Sequence, residues 1–214
     1  MRSYAILLDG GFLKRKLGSP ADPATPERVK QFTDRLVLHP VLRDLTLHRV
    51  YYYDALPFTE SRSIPLSRDQ AHFGSTDVAV RNKKLIQAVT RFPFYATRLG
   101  ETVFRGWGIR SERLREKSDA ITITKADIQP LIGQKGVDMR IGLDVASLTL
   151  KHIVQIIVLV TGDSDFVPVM KFARREGAQL YLVTLGHGIR DNLEDHADLM
   201  LKLEDCPEQP ASAG

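Results

Sequence analysis

Along the chain, short apolar runs alternate with segments whose apolar positions recur every three or four residues. Ser3–Leu8 (SYAILL), Leu45–Asp54 (LTLHRVYYYD), residues 153–160 (IVQIIVLV) and Ala178–Thr184 (AQLYLVT) have the Val, Ile, Leu and Tyr content of buried strands. Between them, a helix is predicted from Pro26, with Val29, Phe32, Leu36 and Val37 on its buried face. A second covers Val78–Val89, and a third carries the stripe Val137, Ile141, Val145 and Leu148. An amphipathic helix should follow Asp165, with Pro168 in its first turn. A short helix over Ile189–Ala197 and a last strand over Leu199–Leu203 complete the series. Residues 55–75 read as a long loop carrying Pro57 and Pro65. Phe94–Ile109 reads as a strand pair turning at Leu99-Gly100-Glu101, and Arg110–Ala126 shows no clear period. Strands alternating with helices predict an α/β fold, a mostly parallel sheet with helices on both faces.

Composition narrows this little. At 214 residues, 43% hydrophobic and 26% charged, the chain suits one domain over 1–205 with a loop and hairpin insertion around 55–126. Residues 206–214 are expected to form a disordered tail. A single cysteine, Cys206, excludes an internal disulfide, and no apolar run is long enough to span a bilayer. With no signal-peptide layout, a cytoplasmic location without membrane contact is expected. The net charge of +4 hints at a polyanionic partner. Basic residues including Arg98, Arg105 and Arg110 interleave with Phe92, Phe94, Tyr95, Phe104 and Trp107. Such a mixture suits a nucleic-acid strand, or equally a solvated hairpin whose aromatics serve the core.

The candidate chemistry lies where strands end. Asp9 follows the first strand directly, and Asp163 and Asp165 follow the strand ending at Val160, in the turn TGDSD. In a parallel sheet both strand ends lie on one edge, where open α/β sheets place ligands. Asp138, in the first turn of the third helix, could close the same crevice from the side. Four carboxylates together repel unless protonated or bound to a cation, and oxygen ligands select Mg²⁺ or Mn²⁺ over zinc. Other acid-bearing or phosphate-binding designs fail on the residues. Gly11 stands where an aspartyl-phosphate phosphatase needs a second Asp, and there is no GxxxxGK[ST], GxGxxG or GxSxG. Thr161 and Ser164 could donate hydroxyl contacts to a carboxylate or phosphate, or cap the helix that follows. Asp144, at the edge of the apolar stripe, is either partnered or functional. Lys135 could meet a substrate phosphate or be a solvated loop lysine.

LLDGGF at 7–12, KGVDMRIGLDV at 135–145 and VTGDSDFVPV at 160–169 resemble the motifs of the NYN domain family, which has a PIN-like nuclease fold. The resemblance implies a Rossmann-like sheet and an aspartate cluster holding Mg²⁺ or Mn²⁺. It further implies a metal-dependent nuclease acting on RNA. The matching acids are Asp9, Asp138, Asp163 and Asp165, expected as catalytic residues and metal ligands; Asp144 matches a further acid that is ligand or neighbour to one. Lys135, Arg105 and Arg110 are the expected nucleic-acid contacts. Phe12 departs from the family, which commonly has Asn there. The alternative reading is a nucleic-acid-binding or scaffolding module with weak or no cleavage. RNA against DNA or a small phosphodiester, and any homo-oligomer, are left open.

Overall fold

The computed structural model describes residues 2–115, 120–186 and 193–206. Its strands are β1 (Ser3–Asp9), β2 (Thr46–Ala55), β3 (Ser61–Ser63), β4 (Gln70–His72), β5 (Tyr95–Ile109), β6 (Ile128–Lys135), β7 (Ile156–Val160), β8 (Gln179–Val183) and β9 (Leu199–Met200). The helices are α1 (Gly10–Leu17), α2 (Pro26–Val37), α3 (Asp77–Val89), α4 (Val137–Leu150) and α5 (Val167–Arg175).

Seven strands form one sheet in the order β6-β5-β2-β1-β7-β8-β9, and all neighbours are parallel except β5 and β6. Counting only the parallel strands, the order is 3-2-1-4-5-6, that of a Rossmann sheet. The predicted α/β architecture is therefore present. Both central strands are apolar throughout because both faces are covered. From β1, Tyr4, Ile6 and Leu8 pack with Phe12, Phe32 and Ile86 of α1, α2 and α3 on one face. Ala5 and Leu7 pack with Ile141, Val145 and Met170 of α4 and α5 on the other.

Several boundaries differ from the sequence reading. Gly100 is not a turn: β5 runs straight through it, pairing with β2 over Tyr95–Gly100 and with β6 over Glu101–Ile109. A Cβ on Gly100 would lie 2.6 Å from the Lys135 carbonyl oxygen and 2.8 Å from Val137 Cγ2, so glycine serves close packing there. The expected 55–75 loop contains the antiparallel pair β3–β4. It folds onto the overhanging β5–β6 ribbon through Phe58, Phe73, Phe104 and Trp107, whose ring centroids lie 5.5 to 6.2 Å apart. These aromatics thus face one another. Phe12–Leu17, for which the sequence pattern predicts no helix, is part of α1. Of the helix expected over Ile189–Ala197, residues 189–192 lie outside the described residues, and Glu194–His196 is a 3-10 turn. The last strand is only Leu199–Met200. Cys206 is buried rather than tail, while residues 207–214 lie outside the described set. Among the described residues, no helix is long and apolar enough to cross a membrane.

Candidate active site

The chain leaves β1 toward the face that holds α1 and leaves β7 toward the face that holds α5. Because the two connections diverge to opposite faces, the C-terminal ends of these neighbouring strands form a topological switch point, the place where open α/β sheets bind ligands. Asp9 closes β1 and caps α1: its Oδ1 accepts from Phe12 N at 3.0 Å. Its Oδ2 accepts from the hydroxyl of Thr161, at the end of β7, at 3.0 Å. Thr161 is fully buried, and its Oγ1 also accepts from Asp163 N at 3.2 Å. One hydroxyl therefore ties the first acid to the loop that bears the next two. Gly10 permits this exit, since a Cβ there would lie 2.5 Å from the Tyr53 carbonyl oxygen.

Asp163 caps the 3-10 turn Ser164–Phe166, with Oδ1 accepting from Asp165 N at 2.9 Å. Ser164 begins the turn, and its hydroxyl makes no hydrogen bond among the described residues. Gly136, at φ 77°, turns the chain from β6 into α4 and sets Asp138 in the first helical turn. The four acids lie within electrostatic reach of one another. Burial raises the Asp9 carboxyl above its usual value, and the Asp163 charge adds to the rise. The Phe12 and Thr161 hydrogen bonds and the Arg15 charge act against it. Asp138 is raised by partial burial and then by the charges of Asp9, Asp163 and Asp165. Asp9, Asp138, Asp163 and Asp165 are thus brought to one edge. As they stand, no group of three or more carboxylate, imidazole or thiolate side chains among the described residues is placed to hold an ion.

The other expected site residues lie elsewhere or are engaged. The Asp144 carboxylate is partnered: Oδ2 accepts from Tyr53 OH at 2.8 Å and pairs with Arg98 Nε at 3.0 Å. That contact and burial push the Tyr53 phenol far above its ordinary value, burial being the larger cause. Lys135 ends β6, three residues before Asp138, and is exposed. Arg105 lies on the β5–β6 ribbon with its guanidinium against Gly133. Arg110 follows β5, and its Nε donates to the Ala126 carbonyl at 3.1 Å. Phe12 is a core residue, packed under the sheet with Leu13 and Phe32.

A polar centre beside the crevice escaped the sequence reading. Asp54, fully buried near the end of β2, pairs with Lys14 at 2.7 Å. It also accepts from Tyr52 OH at 3.0 Å, Gln134 Nε2 at 2.9 Å and Ala55 N at 2.8 Å. The only signal was that the Leu45–Asp54 strand, like the first, ends on an acid. Its partners are 40 and 80 positions away.

The model of the NYN domain matches residues 84–204, a stretch that includes Asp138, Asp163 and Asp165. No curated protein matches the chain. Among solved structures, a protein of unknown function from Vibrio parahaemolyticus is similar at 15% identity and a TM-score of 0.48, over 94% of this chain and 91% of that one.

Proposed function

The chain belongs to the NYN domain family, among the PIN-like nucleases, and from that premise we propose that it hydrolyses RNA at the cluster of Asp9, Asp138, Asp163 and Asp165, with Mg²⁺ or Mn²⁺ as cofactor. The observation that supports this reading is the Thr161 hydroxyl that joins Asp9 to the loop of Asp163 and Asp165 at the C-terminal ends of β1 and β7, with Asp138 near enough for their charges to act on it. Family membership alone implies nuclease-type chemistry; the metal and the RNA substrate belong to the proposal.

The donor set fits a hard divalent cation: every candidate ligand is a carboxylate, and a cation would relieve the repulsion that raises Asp9 and Asp138. Asp9, Asp138 and Asp163 would hold it, with Asp138 and Asp163 drawn toward the hydrogen-bonded Asp9. Bound there, the ion would neutralise charge on the phosphate and activate water. The chain's own residues have distinct tasks. Thr161 and the Phe12 N–H fix both oxygens of Asp9. Asp163 keeps one oxygen on the Asp165 N–H and has the other available. Asp165 is exposed and is assigned to orient the attacking water and accept its proton.

The test is incubation with labelled single-stranded and structured RNA, with Mn²⁺ and with EDTA, for the parent and for Asp163→Asn. Cleavage that EDTA stops and the variant lacks, with an unchanged thermal transition, is expected. Full activity in the variant would remove the assignment. A second reading, a module that binds RNA without cutting it, draws on the absence of a preformed ion site among the described residues and on Phe12 serving the core. Binding with no EDTA-sensitive cleavage would select it.

A further inference from the structure

Beside Asp9 lies an open cavity of about 660 Å³, within the size range that holds small organic ligands. Its floor is Gly11, where an added Cβ would lie 3.4 Å from Asp9 Oδ1, so cavity and acid cluster adjoin. The cavity is also lined by the 18–24 loop, with Pro20 and Pro23, and by the first turns of α3, with Val78 and Arg81. A second, smaller cavity of about 210 Å³ shares Lys14, Val78, Asn82 and Gln134 with the first, and extends it to Phe58 and Phe73 as a groove.

The cations of this groove are not equivalent. Lys14 is neutralised by buried Asp54. Arg15 and Arg81, both exposed, have no ion pair or hydrogen bond among the described residues. The Gln134 amide is oriented, because Asp54 must accept from its Nε2; Oε1 then lies toward Gly11, 3.6 Å from the Cβ position there. The cavity therefore joins apolar walls, a fixed amide acceptor and two guanidinium groups, that of Arg15 near enough for its charge to act on Asp9 and that of Arg81 without an ion pair among the described residues. That is the chemistry of one nucleotide: a flat apolar base face, a polar base edge and an anionic phosphate.

We infer that this cavity seats a single unpaired nucleotide of the RNA strand, adjoining the phosphodiester at the aspartate cluster, so that the protein takes its substrate single-stranded. A base in a duplex is stacked on both faces and cannot enter such a cavity. This subsite rests on the cleavage site proposed above, but its occupancy is measurable without cleavage.

The experiment is fluorescence anisotropy of a short labelled single-stranded RNA and of its blunt duplex, in EDTA, on full-length Asp163→Asn protein. Arg81→Ala and Val78→Trp are added separately. Val78 is 58% exposed, so tryptophan there fills the groove without disturbing the core; unchanged thermal transitions check the fold. Arg81→Ala should weaken single-strand binding about tenfold and lower the salt slope by roughly 0.7 to 1, as loss of one phosphate contact does. Val78→Trp should weaken it by a similar factor with the slope unchanged. Duplex should bind more weakly and be indifferent to Val78→Trp. Single-strand affinity unaltered in both variants, or duplex bound as well as single strand, would overturn the subsite even if the parent cleaves RNA. Loss of binding in both variants from a parent that never cleaves would keep the subsite and remove the cleavage site instead.

Discussion

Replacing Asp54 by alanine should destabilise the protein far more than removing a comparable surface charge. The carboxylate is fully buried and receives Lys14, the Tyr52 hydroxyl, the Gln134 amide and the Ala55 N–H. Asp54→Ala leaves an ammonium that is only 19% exposed without its partner and strands the Tyr52 hydroxyl in the core. Breaking a buried pair from one side costs about 3–5 kcal/mol, and each unsatisfied buried donor about 1–3 kcal/mol. Lys14 can move toward solvent, so a loss of about 4 kcal/mol is expected, near the middle of the first range. For a domain of this size that lowers the melting midpoint by roughly 8–16 °C. Asp34 is the control. It pairs with Lys30 one helical turn away at 2.5 Å, with both side chains more than a third exposed, and Asp34→Ala should cost about 0.5 kcal/mol or less. Urea unfolding of both variants, with m values equal to the parent's, provides the comparison. An Asp54→Ala loss no larger than that of Asp34→Ala would refute the assignment of Asp54 as a buried anchor.

The crevice yields three further expectations. Asp138→Asn should raise the melting midpoint of metal-free protein at neutral pH. Its folded carboxyl is raised, so the folded state binds a proton more tightly than the unfolded one, and stability falls as pH rises through the carboxylate range. The advantage of the variant should therefore shrink on acidification, and an advantage that grows instead would contradict the repulsion. Adding Mn²⁺ to the parent at about a hundredfold excess over its dissociation constant should stabilise it by about 2.7 kcal/mol, and Asp9→Asn should abolish this gain in calorimetry. Gly10→Ala should destabilise by about 1–3 kcal/mol and reduce cleavage, because the added methyl meets the Tyr53 carbonyl and displaces Asp9; wild-type melting would argue against that contact.

Legibility in the sequence followed the range of the interactions. The β1 and β7 strands and the acids after them were readable because continuous apolar runs mark strands covered on both faces, and each acid is fixed by its own strand end. The apolar stripe of α4 was equally local. Gly100 misled because glycine has two uses: it looked like a turn, but a carbonyl and a valine press on it across the β5–β6 ribbon. The first helix was hidden by two opening glycines and three consecutive basic residues, yet Asp9 caps it and Phe12 and Leu13 bury its apolar side. β6 was missed because it is an edge strand, mostly exposed and carrying Pro130, with no apolar alternation to reveal it. The partners of Asp54 and Asp144 depend on contacts spanning 40 to 91 positions, which no local pattern encodes.

The charge distribution connects the crevice with the groove beside it. The chain carries +4 in total although four of its acids gather at one sheet edge, so its surface elsewhere is more basic than the total suggests. A polyanion is attracted by that surface and repelled by the crevice. Arg15 and Arg81 stand at the boundary, where phosphates of an approaching strand can be held before any reaches the acids. The phosphate at the crevice itself needs the acids neutralised first. Strand capture in the groove should therefore be largely independent of divalent cation, whereas engagement of the scissile phosphate should require it. On this division of labour, EDTA stops cleavage while leaving most single-strand affinity in place.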